Sequence, residues 1–123
     1  MKLEHDPRFY DLVAWFLTAL DSASLTVSEQ RDVLGHTGST VSWELHSDLK
    51  NFGSELALNW VDDVGPERLV LLEQFLVLLR FDPGDDRFAS GLSHPVWNDI
   101  RAMAPILASK MSEVLPSEWR KAE

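Results

Sequence analysis

The chain has 123 residues, 45% of them hydrophobic, with five Trp, six Phe and six Gly; that is apolar enough for one domain, residues 1–123, with its own core, and too apolar for a disordered chain. It has no cysteine, which excludes disulfides, thiol nucleophiles, Fe–S ligation and cysteine-based zinc sites. Twenty acidic against eleven basic residues leave a net charge of -9, a field that repels nucleic-acid phosphates and anionic lipids, keeps the chain soluble, and attracts a basic protein surface.

The opening MKLEHDPRFYDLV carries Glu4, Asp6 and Asp11 in or beside any apolar segment, which speaks against an export signal and makes the cytoplasm the expected compartment. Asp6 and Pro7 form a helix start: Asp is a good N-cap, and Pro at the first helical position loses a donor that would be unpaired anyway. The helix is expected to run to about Leu20. Phe9, Tyr10, Leu12, Val13, Trp15, Phe16, Leu17 and Leu20 make it apolar nearly all round, with Asp11 and Thr18 on one narrow polar face. Such a helix is surrounded by its own domain or by a second copy of the chain. Asp21–Leu25 reads as a linker. Thr26 and Glu29 form a capping box for a short helix to Leu34, with Gly35 as its C-cap.

The third helix is expected from Ser39 or Thr40 to Trp60 or beyond. Val41, Leu45, Leu49, Phe52, Leu56 and Trp60 recur at spacings of three and four, the helical period. Gly53 interrupts it at a cost of about 1 kcal/mol relative to Ala, so it marks a candidate kink or break. Asp62–Gly65 reads as a turn, and Pro66 with Glu67 starts a fourth helix through PERLVLLEQFLVLLR. Its polar residues Glu67, Glu73, Gln74 and Arg80 form a thin stripe, which predicts the central core helix. The most apolar run, Leu69–Phe81, contains three of those four and is too short to span a bilayer. DPGDDRFASGLS is the longest non-periodic segment. A last helix from about Pro95 to Leu115 turns Val96, Trp97, Ile100, Met103, Ala104, Leu107, Met111 and Val114 or Leu115 inward. Pro105 should kink or split it, and Pro116 stops it. The predicted fold is all-α, a compact bundle of four to five helices with short loops, the last kinked at Pro105.

HTGSTVSWELHSDL has the layout of a helix-turn-helix, a turn bearing Gly followed by a helix opened by Ser or Thr. A DNA-reading helix needs Arg, Lys, Asn or Gln at its start and cations for the phosphates. From Asp32 to Asp63 the chain offers six acids and one base, Lys50, a net of −5. The imbalance extends across residues 1–64, with eleven acids and four bases (net −7), against nine and seven (net −2) in residues 65–123. Nucleic acid is therefore not an expected ligand. At 100° per residue, Glu44, Asp48, Glu55 and Asp62 share one flank of the third helix, whereas Trp43, Lys50 and Val61 fall away from it. Acidic flanks steer and register a partner, and Trp is an interface anchor. Trp43, Glu44, Asp48, Lys50, Glu55 and Asp62 are thus the candidate protein-binding residues.

No metal centre or cofactor site is expected. His5, His36, His46 and His94 form neither HxxxH nor HExxH, and His46 diverges from Glu44 and Asp48 on a helix. DPGDD lacks the Gly and Glu positions of a calcium loop. Glu73 and Asp11 are the carboxylates embedded in apolar helices, but each lies on its helix's polar stripe. GxSxG, GxGxxG and GxxxxGK[ST] are absent, so no reaction is assigned. The expected function is a non-catalytic, acidic helical protein-binding module, with homodimerisation through the first or fourth helix as one form of it. The alternatives are an immunity- or antitoxin-type inhibitor of a basic, nuclease-like protein, and a small-ligand binder or enzyme with a pocket between helices near Pro105.

Overall fold

The computed structural model describes residues 6–24, 38–80 and 95–116, and the side chains of 38–44 and 95–96 fall outside that description. The described residues form five helices: α1 Pro7–Ala23, α2 Gly38–Asn59, α3 Val61–Val64, α4 Pro66–Leu78 and α5 Pro95–Ser112. α1 packs against α2 and α5, and α4 packs against the same two helices, while the single turn α3 joins α2 to α4. The result is an all-α bundle in which α1 and α4 sit on opposite corners. Phe16 and Phe75 meet across that diagonal edge to face, ring centroids 6.4 Å apart. The Thr26 capping box, its short helix and Gly35 lie outside the described residues, as does DPGDDRFASGLS.

Among the described helices, α1 gives the core the most side chains. Phe9, Tyr10, Leu12, Val13, Phe16, Ala19, Leu20 and Ala23 are all buried, and each large apolar side chain so removed from water contributes about 1.5–3 kcal/mol. The Asp6 carboxylate accepts from the Arg8 backbone N–H at 2.9 Å, satisfying one of the free donors of the first turn. The helix continues past Leu20, where the sequence predicts a linker. Ala23 is fully buried, and Ser24 closes the helix by donating its hydroxyl to the Leu20 carbonyl at 2.8 Å. Burial of the eighth apolar position outweighs the poor helix propensity of Asp21 and Ser22.

α2 runs unbroken through Gly53. Leu45, Leu49 and Leu56 are buried, Phe52 and Trp60 half-buried. Gly53 itself is buried, and its missing side chain is filled by Leu76 and Leu72 of α4 and by Phe16 of α1. The glycine is a close-approach position, not a break. The helix stops six residues later at Asn59, where Trp60 adopts φ −128°, ψ 33°, outside the α region.

α4 is not the central helix that its apolar composition predicts. Only Leu72 and Phe75 within it, and Leu79 just after it, are buried. Val70 and Val77 are exposed together with Glu73 and Gln74. With apolar residues on every side, composition alone does not say which side faces the core, and the helix occupies a corner. Its start is tightly specified. Gly65 has φ 87°, ψ 154°; the extended ψ is what a residue before Pro requires, and the positive φ is one that glycine alone adopts cheaply.

Trp97, Ile100, Ala104, Leu107 and Met111 of α5, and Leu115 just past its end, are buried as predicted. Pro105 does not split the helix, which continues to Ser112 with Pro105 on its exposed side. Arg68 joins α4 to the end of α5. Its guanidinium donates to the Lys110 carbonyl at 3.0 Å, the Val64 carbonyl at 3.2 Å and the Glu113 carboxylate at 3.2 Å, tying two helix ends together.

Candidate functional site

The predicted protein-binding residues do not all fall on one element. Asp48, Lys50 and Glu55 are exposed on α2. Trp43 and Glu44 belong to the first two turns of that helix, and their side chains lie outside the described residues. Asp62 is exposed but sits on α3. The break at Trp60 means that the regular 100° projection linking Asp62 to Glu55 does not carry across. Asp48 and Glu55 are seven residues apart on one uninterrupted helix, so they share a flank about 10 Å long. Lys50 is turned roughly 200° from Asp48 around the axis and stands apart from this flank.

Between the two acids, on the same flank, lies Phe52. It is one turn after Asp48 and one turn before Glu55, the spacing at which helical side chains are neighbours. Trp15 of α1 rests against it, ring centroids 6.1 Å apart and planes tilted by 39°. Phe52 is half-buried, but Trp15 keeps 58% of its surface in water. Trp15 belongs to the apolar set of the first helix, but unlike Phe9, Tyr10 and Phe16 it is not buried by the chain's own core. The signal was present in the spacing: Asp11 is one turn before Trp15 and Thr18 is three residues after it, so the indole borders the polar face. Asp11 is half-buried, and the Thr18 hydroxyl donates back to the Ala14 carbonyl at 3.1 Å.

The surface so formed is an aromatic platform at the α1–α2 seam with Asp11 on one helix and Asp48 and Glu55 on the other. The nearest base along α1, Arg8, is tied to Asp6 by hydrogen bonds of 2.8–3.3 Å. Those bonds hold the Asp6 carboxyl at about 2, below its ordinary 3.8, and raise Arg8. Arg8 is therefore already neutralised by its neighbour, and the platform keeps its negative character. Leu58 stands one turn beyond Glu55 and is 76% exposed, extending the apolar part of the same outer side.

The other polar side chains singled out by sequence have structural surroundings. His46 is buried, and its Nε2–H donates to the Leu79 carbonyl at 2.6 Å, a bond from α2 to the end of α4 that occupies one of the open carbonyls there. Glu73, which the sequence offers as a carboxylate in an apolar helix, is exposed. With Val70, Gln74, Leu76, Val77 and Arg80 it lines an open depression along α4 that Pro105 does not line. Among the described residues no group of three His, Asp or Glu side chains is arranged to hold a metal ion, and no helix is long and apolar enough to cross a membrane.

Fold and surface together define an all-α bundle with an acid-flanked aromatic face. No family model, no curated protein and no solved structure matches the chain.

Proposed function

We propose that the chain is a non-catalytic protein-binding module that presents the α1–α2 face to a basic protein partner. The observation that carries this is Trp15, which lies exposed on Phe52 with Asp48 and Glu55 one turn to either side. Indole left in water forfeits a large burial gain, and Trp recurs at the centre of interfaces for that reason. The acids add attraction at a distance and exclude acidic competitors. A partner whose cationic cleft otherwise holds nucleic acid, as in an inhibitor of a nuclease-like protein, fits the same charge.

The test is affinity capture from the native cell with the tagged chain. Capture of a basic protein that is abolished by reversing Glu44, Asp48 and Glu55 to Lys together supports the reading. Capture that survives the triple reversal refutes the role of the acidic flank.

A homodimer remains a second form of the proposal, and its basis has narrowed. The apolar side chains of α1 other than Trp15 and Leu17 are consumed by the chain's own core. Val70 and Val77 on α4, two turns apart and exposed, form an apolar stripe that the core does not use. Light scattering on the wild type and on Val70→Glu/Val77→Glu distinguishes the cases: a dimer that the double variant converts to monomer supports this seam, and a monomeric wild type at millimolar concentration removes it.

A further inference from the structure

We propose that the Trp15 platform is an arginine-binding site, and that the partner supplies a stripe of arginines along one side of a helix. This rests on the protein-binding reading above and specifies its chemistry. Three features of the face select the ligand. The indole is exposed above a half-buried Phe52 that props it from beneath. A guanidinium is the side chain that stacks flat on such a ring while keeping its N–H groups in plane for neighbouring acceptors, and it sheds water more easily than an ammonium. Second, acceptors stand at the rim: Asp48 and Glu55 are exposed on either side of Phe52, and each can take the two parallel N–H bonds of a guanidinium.

The third feature is spacing. Seven residues separate Asp48 from Glu55, a rise of about 10 Å. A partner helix that places cations at i and i+7 repeats that distance, and its i+3 or i+4 residue then lies over Phe52 between them, beside the Trp15 indole. One arginine stacked on Trp15 and one on each acid is thus a geometric match to a single helical stripe. Lysine keeps the charge but loses the stacking and the fork. No described base competes for these acids: Arg8 is held by Asp6, and Lys50 is on another side of α2. Periodicity picks out Asp48 and Glu55; the structure adds Trp15, from a different helix, resting against Phe52, the residue that lies between them.

The probe is an alanine-based helical peptide with arginines at i, i+3 and i+7, titrated into the full chain labelled with ¹⁵N. The chain has five Trp, and Trp15→Phe identifies the Trp15 indole N–H resonance. A peptide of the same composition with its three arginines on different sides, and a lysine version of the stripe, are the comparisons. The expected result is a shift of the Trp15 indole and of the Asp48–Glu55 amides with the arginine stripe. Binding should be at least tenfold weaker for the dispersed and lysine peptides, and tenfold weaker again for Trp15→Ala and for Asp48→Asn/Glu55→Gln. Trp15→Phe, which keeps a ring, should fall between wild type and Trp15→Ala; far-UV circular dichroism checks that each variant is folded.

Equal binding of arginine and lysine stripes, or full affinity in a folded Trp15→Ala variant, overturns the proposal. So does the absence of binding by every peptide. Those outcomes leave the protein-binding reading standing where cellular capture still depends on Glu44, Asp48 and Glu55, and remove both where it does not.

Discussion

Gly53 offers the sharpest quantitative check on the packing that brings α1, α2 and α4 together. A methyl group added there would lie 2.9 Å from Leu76 Cδ2, 3.4 Å from Phe16 Cε1 and 3.5 Å from Leu72 Cδ1. Carbon atoms rest at about 3.5–4.0 Å, so only the Leu76 contact is seriously short. Leu76 is half-buried, and Cδ2 is the tip of its side chain, free to swing aside. Its displacement should cost near the low end of the roughly 1–3 kcal/mol typical of overpacking. Against that, replacing a mid-helix Gly by Ala returns about 1 kcal/mol of helix propensity. The two nearly cancel, and Gly53→Ala should sit within about 1 kcal/mol of wild type. Gly53→Val is different. Its second and third carbons meet Phe16 and Leu72, both fully buried with nowhere to go, and its stiff χ1 removes the choice of direction. It should lose about 3 kcal/mol, the upper end of overpacking, or roughly 12 °C of melting temperature for a chain of this size. Urea unfolding followed by far-UV circular dichroism measures both variants. Asn51→Ala, exposed on the same helix, serves as the control for propensity alone. A Gly53→Val protein as stable as wild type would mean that α4 does not approach α2 at this position, and the reasoning fails.

Four further outcomes follow from the same structure. Gly65→Ala should destabilise by about 1–2 kcal/mol, since φ 87° is strained for any residue with a Cβ; an unchanged urea midpoint would refute that backbone assignment. His46→Leu leaves the Leu79 carbonyl without its 2.6 Å donor and should cost about 1–3 kcal/mol, visible as faster amide exchange at the end of α4. Pro105→Ala restores an N–H on an exposed side of α5 and should raise stability by about 1–3 kcal/mol, so a lower melting temperature would count against the position assigned to it. The Asp6 carboxyl is held at about 2 instead of 3.8; its charge therefore stabilises the fold above pH 3.8, and the contribution disappears as pH falls toward 2. Wild type and Asp6→Asn should accordingly differ in melting temperature near neutral pH and converge at about pH 2.

Local chemistry made most of the architecture legible. The Asp6–Pro7 start, the three-four spacing from Leu45 to Leu56 and the inward face of α5 are written in side-chain types and intervals, and each reappears in the packing. What composition could not decide was which of two very apolar helices gives most of its side chains to the core. α4 has more aliphatic residues per turn than the bundle can cover, and only neighbours from α2 and α5 determine that Leu72 and Phe75 go in and Val70 and Val77 stay out. The candidate site divides along the same line. Asp48 and Glu55 follow from periodicity within one helix. Trp15 enters their surroundings through its contact with Phe52, 37 residues further along the chain, and no intrahelical spacing reports such a contact. Asp62 was placed by extending one helix through Trp60, where the backbone leaves the α region.

The central claim is that the α1–α2 face, and not α4, meets a basic protein. Its most direct measurement is photo-cross-linking in the native cell, with benzoylphenylalanine substituted singly at Leu58, beside the acidic flank, and at Val77, on α4. Leu58 should capture a basic protein, Asp48→Asn/Glu55→Gln in the same chain should suppress the adduct, and Val77 should not yield it. Capture of the partner from Val77 with none from Leu58 would contradict it.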